Sequence, residues 1–353
     1  MPNWLESMQQ TFEYYVVDPG TWKDKQRLTN VKSCSISRSS ESDTLGSATI
    51  DVTETVGESY IRVYLVTIQN GVKERHPLGT FLVQTPSSQF DGRVRAVTME
   101  AYTPLLELNE NPPPIGYFVP KGSNIMDEAY KLVKDNARAP VVPASKEDAL
   151  HYDFVAESGE TWLSLIDALI ANAKYSFDLD EMGRILFAPD QDTASLQPVW
   201  TYEDGDKSIL HMSISMSHDL YDVPNVVEVV HSKGSENLYA IATNNDPDSP
   251  TSVQNRGRKI TRRITDPDIN NGIPTEKQLQ EYAERALEEL STIEYRLSYT
   301  HAYCPVRVGD CVRINYSLAD LTNVKAKVIS QSITCEPGCP VQETAVFTTK
   351  LWR

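Results

Sequence analysis

Apolar and polar positions alternate through much of the first hundred residues. Segments 14–17, 31–37, 48–52, 60–68, 79–84 and 93–101 are each β-rich, and Asp18-Pro-Gly20, Asn70-Gly71 and Asp91-Gly92 place turn chemistry between them. Alternation of this kind suits antiparallel sheets with one wet face, so a barrel or sandwich is expected over 1–109. Asn70-Gly71 is the sharpest local signal, because a two-residue type I′ turn needs positive φ at both positions and these two residues tolerate it.

The pattern changes at Asn109-Glu-Asn-Pro-Pro-Pro114. Three prolines lack backbone donors and stiffen the chain, which marks a domain boundary. Beyond it, Ser123 can cap a helix carrying Ile125, Ala129, Leu132 and Val133, and Ser158-Gly-Glu160 precedes a second carrying Trp162, Leu165, Ile166, Leu169 and Ile170. A hairpin comes next, 175–179 and 184–187 about Glu181-Met-Gly183, which makes 110–198 an α+β unit. Trp162 and Tyr175 sit at core spacing and read as core rather than as a ligand-stacking pair.

The last third is organised about a helix. Thr275 and Gln278 have capping-box spacing, and Leu279, Tyr282, Ala283, Ala286, Leu287, Leu290 and Ile293 recur on one face. Before it lie a strand at 226–230, the loop Asn244-Asn-Asp-Pro-Asp-Ser-Pro250 and a basic turn at 255–260; after it, 296–301 alternates and 343–349 is strand-like. Residues 306–314 read as strand, Gly309-Asp310 turn, strand. The helix is therefore an excursion between strand regions. Ser35-Ile-Ser-Arg-Ser39 and Ser213-Ile-Ser-Met-Ser217 form a weak internal repeat, each succeeded at the same offset by an alternating strand.

This order of features resembles the tail-hub (baseplate hub, tail-tip hub) family of tailed bacteriophages and related contractile injection systems. The residues that carry the resemblance are Pro224-Asn-Val-Val227, Asn245-Asp-Pro-Asp-Ser-Pro250, Gly257 before Lys259-Ile260, Tyr282-Ala283 with Ala286-Leu287, and Val308-Gly-Asp-Cys-Val312. The resemblance implies a multidomain, mainly β chain with α+β insertions, built on two tail-tube-like antiparallel barrels. The first would take 1–109, ending in a short helix from Thr103 to Leu108; an α+β domain, 110–198; the second, discontinuous barrel, 199–232 and 296–353; and an inserted domain with the amphipathic helix, 233–295. It further implies a nonenzymatic homotrimeric ring in the virion, at the tail tip or baseplate. Such a ring binds the tail tube or a distal tail protein above and spike, plug or fibre proteins below, with no cofactor and with DNA only in passing.

Composition narrows the field. The chain has 353 residues, 40% of them hydrophobic, enough for two or more cores. Its net charge of −16 repels phosphate backbones, so tight nucleic-acid binding would need a strong local basic patch. No secretion signal or membrane-spanning apolar run is expected, and five cysteines point to synthesis in a reducing cytoplasm, here that of a bacterial host.

Few residues invite chemistry. Cys304, Cys311, Cys335 and Cys339 form two pairs, but their spacing is irregular for zinc, and buried thiols acting as small hydrophobes are the favoured reading. Cys335 and Cys339 could close a small disulfide loop after lysis, while Cys34 has no obvious partner. Six histidines are scattered, and Ser217-His218-Asp219 cannot converge as a triad because neighbours on a strand face opposite ways. A carboxylate pair for glycan cleavage is a question of spatial separation. The one dense basic run is Arg256, Arg258, Lys259, Arg262 and Arg263, a candidate contact with acidic residues of a neighbouring subunit or tail tube, or else a solvated turn and strand face, with passing DNA a third reading. Competing readings are a tail-associated cell-wall hydrolase and a β-rich receptor-binding tail protein.

Overall fold

The computed structural model describes residues 2–54, 56–90, 92, 95–191, 193–232, 238–267, 269 and 274–352. Asp91, Arg93 and Val94, on which a turn and a strand start are expected, lie outside the described residues. The chain divides into two compact units, Met1–Ile214 with Tyr299–Ala345 and Ser215–Ser298 with Val346–Arg353.

Seven strands open the first unit: β1 Gln9–Val17, β2 Asp24–Leu28, β3 Val31–Ser39, β4 Gly46–Val52, β5 Tyr60–Gln69, β6 Val72–Phe90 and β7 Arg95–Tyr102. Their alternation appears as burial: Cys34 and Ile36 of β3 and Ala48, Ile50 and Val52 of β4 point inward, their neighbours outward. β5 and β6 form the hairpin that Asn70-Gly71 predicts. Gln69 pairs with Val72, and the turn residues have φ of 52° and 77°, as a type I′ turn requires. β2 has no apolar alternation and goes unpredicted; it is set by the turn at Asp18, whose carboxylate accepts from the Gly20 and Thr21 amides.

The helix expected at Thr103 forms later, as α1 Leu106–Glu110. After it come β8 Phe118–Val119, α2 Ile125–Asn136, β9 Phe154–Val155, α3 Trp162–Ala171, β10 Tyr175–Leu179 and β11 Ile185–Pro189. Asn124, not Ser123, caps α2, its carbonyl accepting from the Asp127 amide at 3.0 Å. Thr161 and Ser164 close a capping box on α3. The helices and the β10–β11 hairpin share one apolar core containing Trp162, and Tyr175 packs at its margin, as the core reading requires.

This α+β part is tied to the first strands by a fully buried arginine. Arg62 donates to Thr80 Oγ1 at 2.9 Å and to the Met182 carbonyl at 3.0 Å, and pairs with Asp24 at 2.8 Å. Gly183, with φ 75°, fits here because a Cβ would lie 2.7 Å from Thr80.

The remaining elements are β12 Trp200–Glu203, β13 Leu210–His218, β14 Val226–His231, β15 Leu238–Thr243, α4 Val253–Arg256, β16 Thr261–Thr265, α5 Glu276–Leu290, β17 Thr292–Ala302, β18 Cys311–Tyr316, β19 Leu321–Thr334 and β20 Pro340–Lys350. Strands join in the order β13-β17-β20-β19-β3-β4-β7-β6-β5-β1-β2, with β18 between β19 and β12. The chain is thus mainly β, with a large and chiefly antiparallel sheet; β12 joins β18 in parallel. Residues 306–308 are not a strand. The Val306 amide donates to the Cys304 carbonyl and the Arg307 amide to Asp310 Oδ2, so a turn through Gly309 takes the backbone bonds a ladder would use.

In the second unit, β14 pairs with β15 antiparallel and with β16 parallel. α5 covers one face, burying Leu279, Ala283, Ala286 and Leu287 against Val227, Val229, Ala240 and Ala242. Its capping box, Thr275 with Gln278, forms as its spacing predicts. Leu290, at the helix end, is exposed, and Ile293 falls in β17. The serine repeat does not mark equivalent hairpins: β3 pairs with β4, whereas β13 pairs with β17 and β14 lies in the three-stranded sheet. No helix among the described residues is long and apolar enough to cross a membrane.

Candidate functional site

The basic run of the second unit separates into three roles. Arg256 ends the one-turn helix α4 and points inward, donating to the carbonyls of Val223 at 2.8 Å and Leu220 at 3.3 Å. Burial, then the neighbouring Arg258, lowers its pKa. Gly257 turns the chain at φ 63°, and the buried Asn225 pins the segment beyond it by donating to the Arg258 carbonyl and accepting from the Ile260 amide. Arg263 lies on β16 opposite Glu228 and pairs with it at 2.8 Å. Arg258, Lys259 and Arg262 remain exposed, and none has an ion pair or side-chain hydrogen bond among the described residues.

The loop before this turn is self-supporting. Asn244 is buried; its amide donates to Ser249 Oγ and its carbonyl accepts from the Asp246 amide, while Asn255 donates to the Pro247 and Ser249 carbonyls. The Asn, Asp and Ser residues of this motif therefore satisfy backbone groups in a segment without regular structure.

The cysteine candidates do not assemble. Cys304 lies beside Tyr202 and His301, Cys311 begins β18, and Cys335 and Cys339 flank a turn near Cys34. Cys34 thus has a neighbour that its sequence position does not reveal. Among the described residues no three His, Cys, Asp or Glu side chains converge as a metal would need. Ser217-His218-Asp219 separates as expected of a strand end: His218 packs on Tyr295 with ring centroids 4.7 Å apart, and Asp219 accepts from the Tyr221 amide.

One polar cluster in the first unit has no sequence signature. Glu343 of β20 is fully buried and accepts from Tyr299 at 2.6 Å, Gln331 at 2.7 Å and Tyr202 at 3.3 Å. His301 Nε2 lies 3.4 Å from this carboxylate, and Nδ1 is 2.8 Å from the Ala302 carbonyl, so both ring nitrogens face acceptors and the imidazolium fits. Burial opposes that charge, but Cys304 and Glu343 outweigh it and raise the His301 pKa to about 10. Burial, then the charge of Glu343, raises the pKa of Tyr202 and Tyr299. The members come from β12, β17, β19 and β20, and register alone brings them together.

Cys304, His301 and Glu343 have the composition of a nucleophile, base and orienting acid, but their geometry opposes that use. Cys304 is 1% exposed and the other two 0%, and His301 Nδ1 faces a backbone carbonyl. A nucleophile needs a path for substrate and a base free to take its proton. This cluster instead continues outward through Gln331, which accepts from Arg38 at 3.4 Å, to the Arg38–Glu181 pair at 3.7 Å and the Arg307–Glu181 pair at 2.8 Å.

Those last groups line a cleft of about 300 Å³ in the first unit, together with Phe81, Phe177 and Lys327. Burial raises the pKa of Asp178 and Asp310, against the opposing pull of Arg307. Asp178 and Glu181 thus pair with Arg307, and the Arg307 amide donates to Asp310.

No family model matches the chain, and no curated protein matches it in sequence. Solved structures do match. The chain is similar to a tail protein from Neisseria meningitidis, at 13% identity with TM-score 0.61, over 96% of each chain. It is similar to the 43 kDa tail protein of prophage MuSo2 from Shewanella oneidensis, at 12% identity with TM-score 0.60, over 95% of this chain and 98% of that one. An Escherichia coli component of the type VI secretion system, described as structurally similar to T4 bacteriophage tail proteins, aligns at 7% identity with TM-score 0.50, over 92% of this chain and 75% of its own. At these identities the likeness is one of fold. The fold is that of phage tail proteins, in agreement with the resemblance carried by Pro224–Val227 and the motifs after it.

Proposed function

We propose that this chain is a structural hub of a phage or phage-derived tail. In this reading three copies form a ring in the virion, which joins the tail tube to the distal spike, plug or fibre apparatus. The observation that carries the proposal is the extent of the fold likeness, 96% of this chain on 96% of a tail protein. The sealing of the Cys304–His301–Glu343 group supports a structural rather than hydrolytic role.

In the proposed hub, β1–β7 form one tube-like barrel. The strands β12, β13 and β17–β20 form the other, so three copies present six similar units to a sixfold tube. The α5 module is an insertion, and Arg258, Lys259 and Arg262 are its contact with an acidic neighbour, since the chain as a whole carries −16. Imaging of assembled particles in which this chain carries a density label tests the reading; label at the tail tip is the expected result, and label on the tube wall or capsid would overturn it. Purified protein is expected to give no clearing in a cell-wall zymogram.

A further inference from the structure

Three of the five cysteines gather at the junction of β3 and β19. The register that pairs Thr334 with Ser35 sets Cys335 opposite Cys34, and the Cys335 amide donates to the Cys34 carbonyl at 2.9 Å. Residues facing each other across an antiparallel pair share a sheet face, with Cα atoms about 5.5 Å apart in a hydrogen-bonded pair, within the range a disulfide spans, and the two thiols are within hydrogen-bonding reach of each other. Ile36 and Ile333, one pair further along on the same face, are both buried, so the face is the inner one. Cys34 is buried with them, while Cys335, at the strand end, is half-buried and open to a small reagent.

We propose that Cys34 and Cys335 form a reversible disulfide that clamps β3 to β19 when the protein leaves a reducing compartment. The oxidant is a low-molecular-weight disulfide such as oxidised glutathione. The Cys335 thiolate attacks one of its sulfurs, the protein–glutathione bond forms, and glutathione leaves as a thiolate that takes up a proton. The Cys34 thiolate, its proton lost to solvent, then attacks the Cys335 sulfur and expels the second glutathione. Two protein thiols are oxidised and one glutathione disulfide is reduced to two thiols. In the free protein the Cys335 side chain, then burial, raises the Cys34 pKa; burial persists once Cys335 carries glutathione, so the second step is the slow one and quickens with rising pH. Cys339, also near, lies on the turn in which its amide donates to the Glu336 carbonyl, and its thiol is completely buried.

The clamp rests on strand register and not on the tail reading, so either can fail alone. The test exposes the native full chain to oxidised glutathione at mildly alkaline pH, then maps disulfide-linked peptides and counts thiols after denaturation. The expected result is a Cys34–Cys335 linked peptide, a loss of two of the five thiols, and a melting temperature that rises and returns on reduction. Cys335→Ser abolishes all three changes and Cys339→Ser none. A Cys335–Cys339 link, a stable glutathione adduct at Cys335, or retention of all five thiols after prolonged exposure would overturn the proposal.

Discussion

The Glu343 cluster and the Arg258, Lys259 and Arg262 cations are both built on or beside strands, yet they meet opposite fates. Every polar atom around Glu343 is buried and met by a partner, whereas the three cations are exposed and met by none among the described residues. A sealed and satisfied ionic network stabilises little in total, but breaking it is costly because one charge is left buried without its partner. Exposed cations have the reverse property: the fold does not depend on them, and they remain available to an acidic neighbour. The difference separates residues that hold this chain together from residues that can hold it to something else.

The largest effect is expected from Glu343→Ala, which strands the His301 imidazolium among tyrosines. A loss of about 3–5 kcal/mol in urea unfolding is expected from removing one member of a buried pair; a loss below about 1 kcal/mol would show that water or relaxation replaces the carboxylate. Next is Leu287→Asp, which places a charge in the α5 core. It is expected to cost about 3 kcal/mol or more in thermal or urea unfolding. If stability holds while assembly with tail proteins fails, the helix is a contact surface rather than a brace.

A smaller effect is expected from pH. The folded pKa of His301, about 10, lies above its ordinary value of 6.5, so its contribution is fully present below 6.5 and is lost as pH rises towards 10. The melting temperature should therefore fall across that window, and His301→Gln should flatten the fall. A slope that survives this substitution would assign it to other groups. The smallest effect on stability is expected from the triple change Arg258→Glu, Lys259→Glu and Arg262→Glu: an unchanged melting temperature with lost association. Retained association would leave the cations as a solvated edge and dissolve the contrast.

Much of the local structure was legible because its causes are local. Thr275 and Gln278 specify the start of α5, and Asn70-Gly71 specifies the β5–β6 hairpin. Ser123 misled by one position because Asn124, an equally good cap, stands next to it. Residues 306–308 carry a strand's composition but lose their ladder to the turn held by Asp310. The Glu343 cluster was not legible at all. Tyr202, His301, Gln331 and Glu343 are distant in sequence, and only the registers of β12, β17, β19 and β20 bring them together. Cys34 and Cys335 met for the same reason. In the basic run, spacing grouped five residues, while the fold turned Arg256 inward and gave Arg263 to Glu228.

The proposed hub role, closing a tail tube, is tested most directly by copy number. Isolated tails, or a reconstituted complex of this chain with its tube protein, can be weighed by native mass spectrometry and imaged along the tail axis. On that role, three copies in one ring at the distal end of a sixfold tube are expected. A single copy, or six copies repeating the tube's own symmetry, would contradict it.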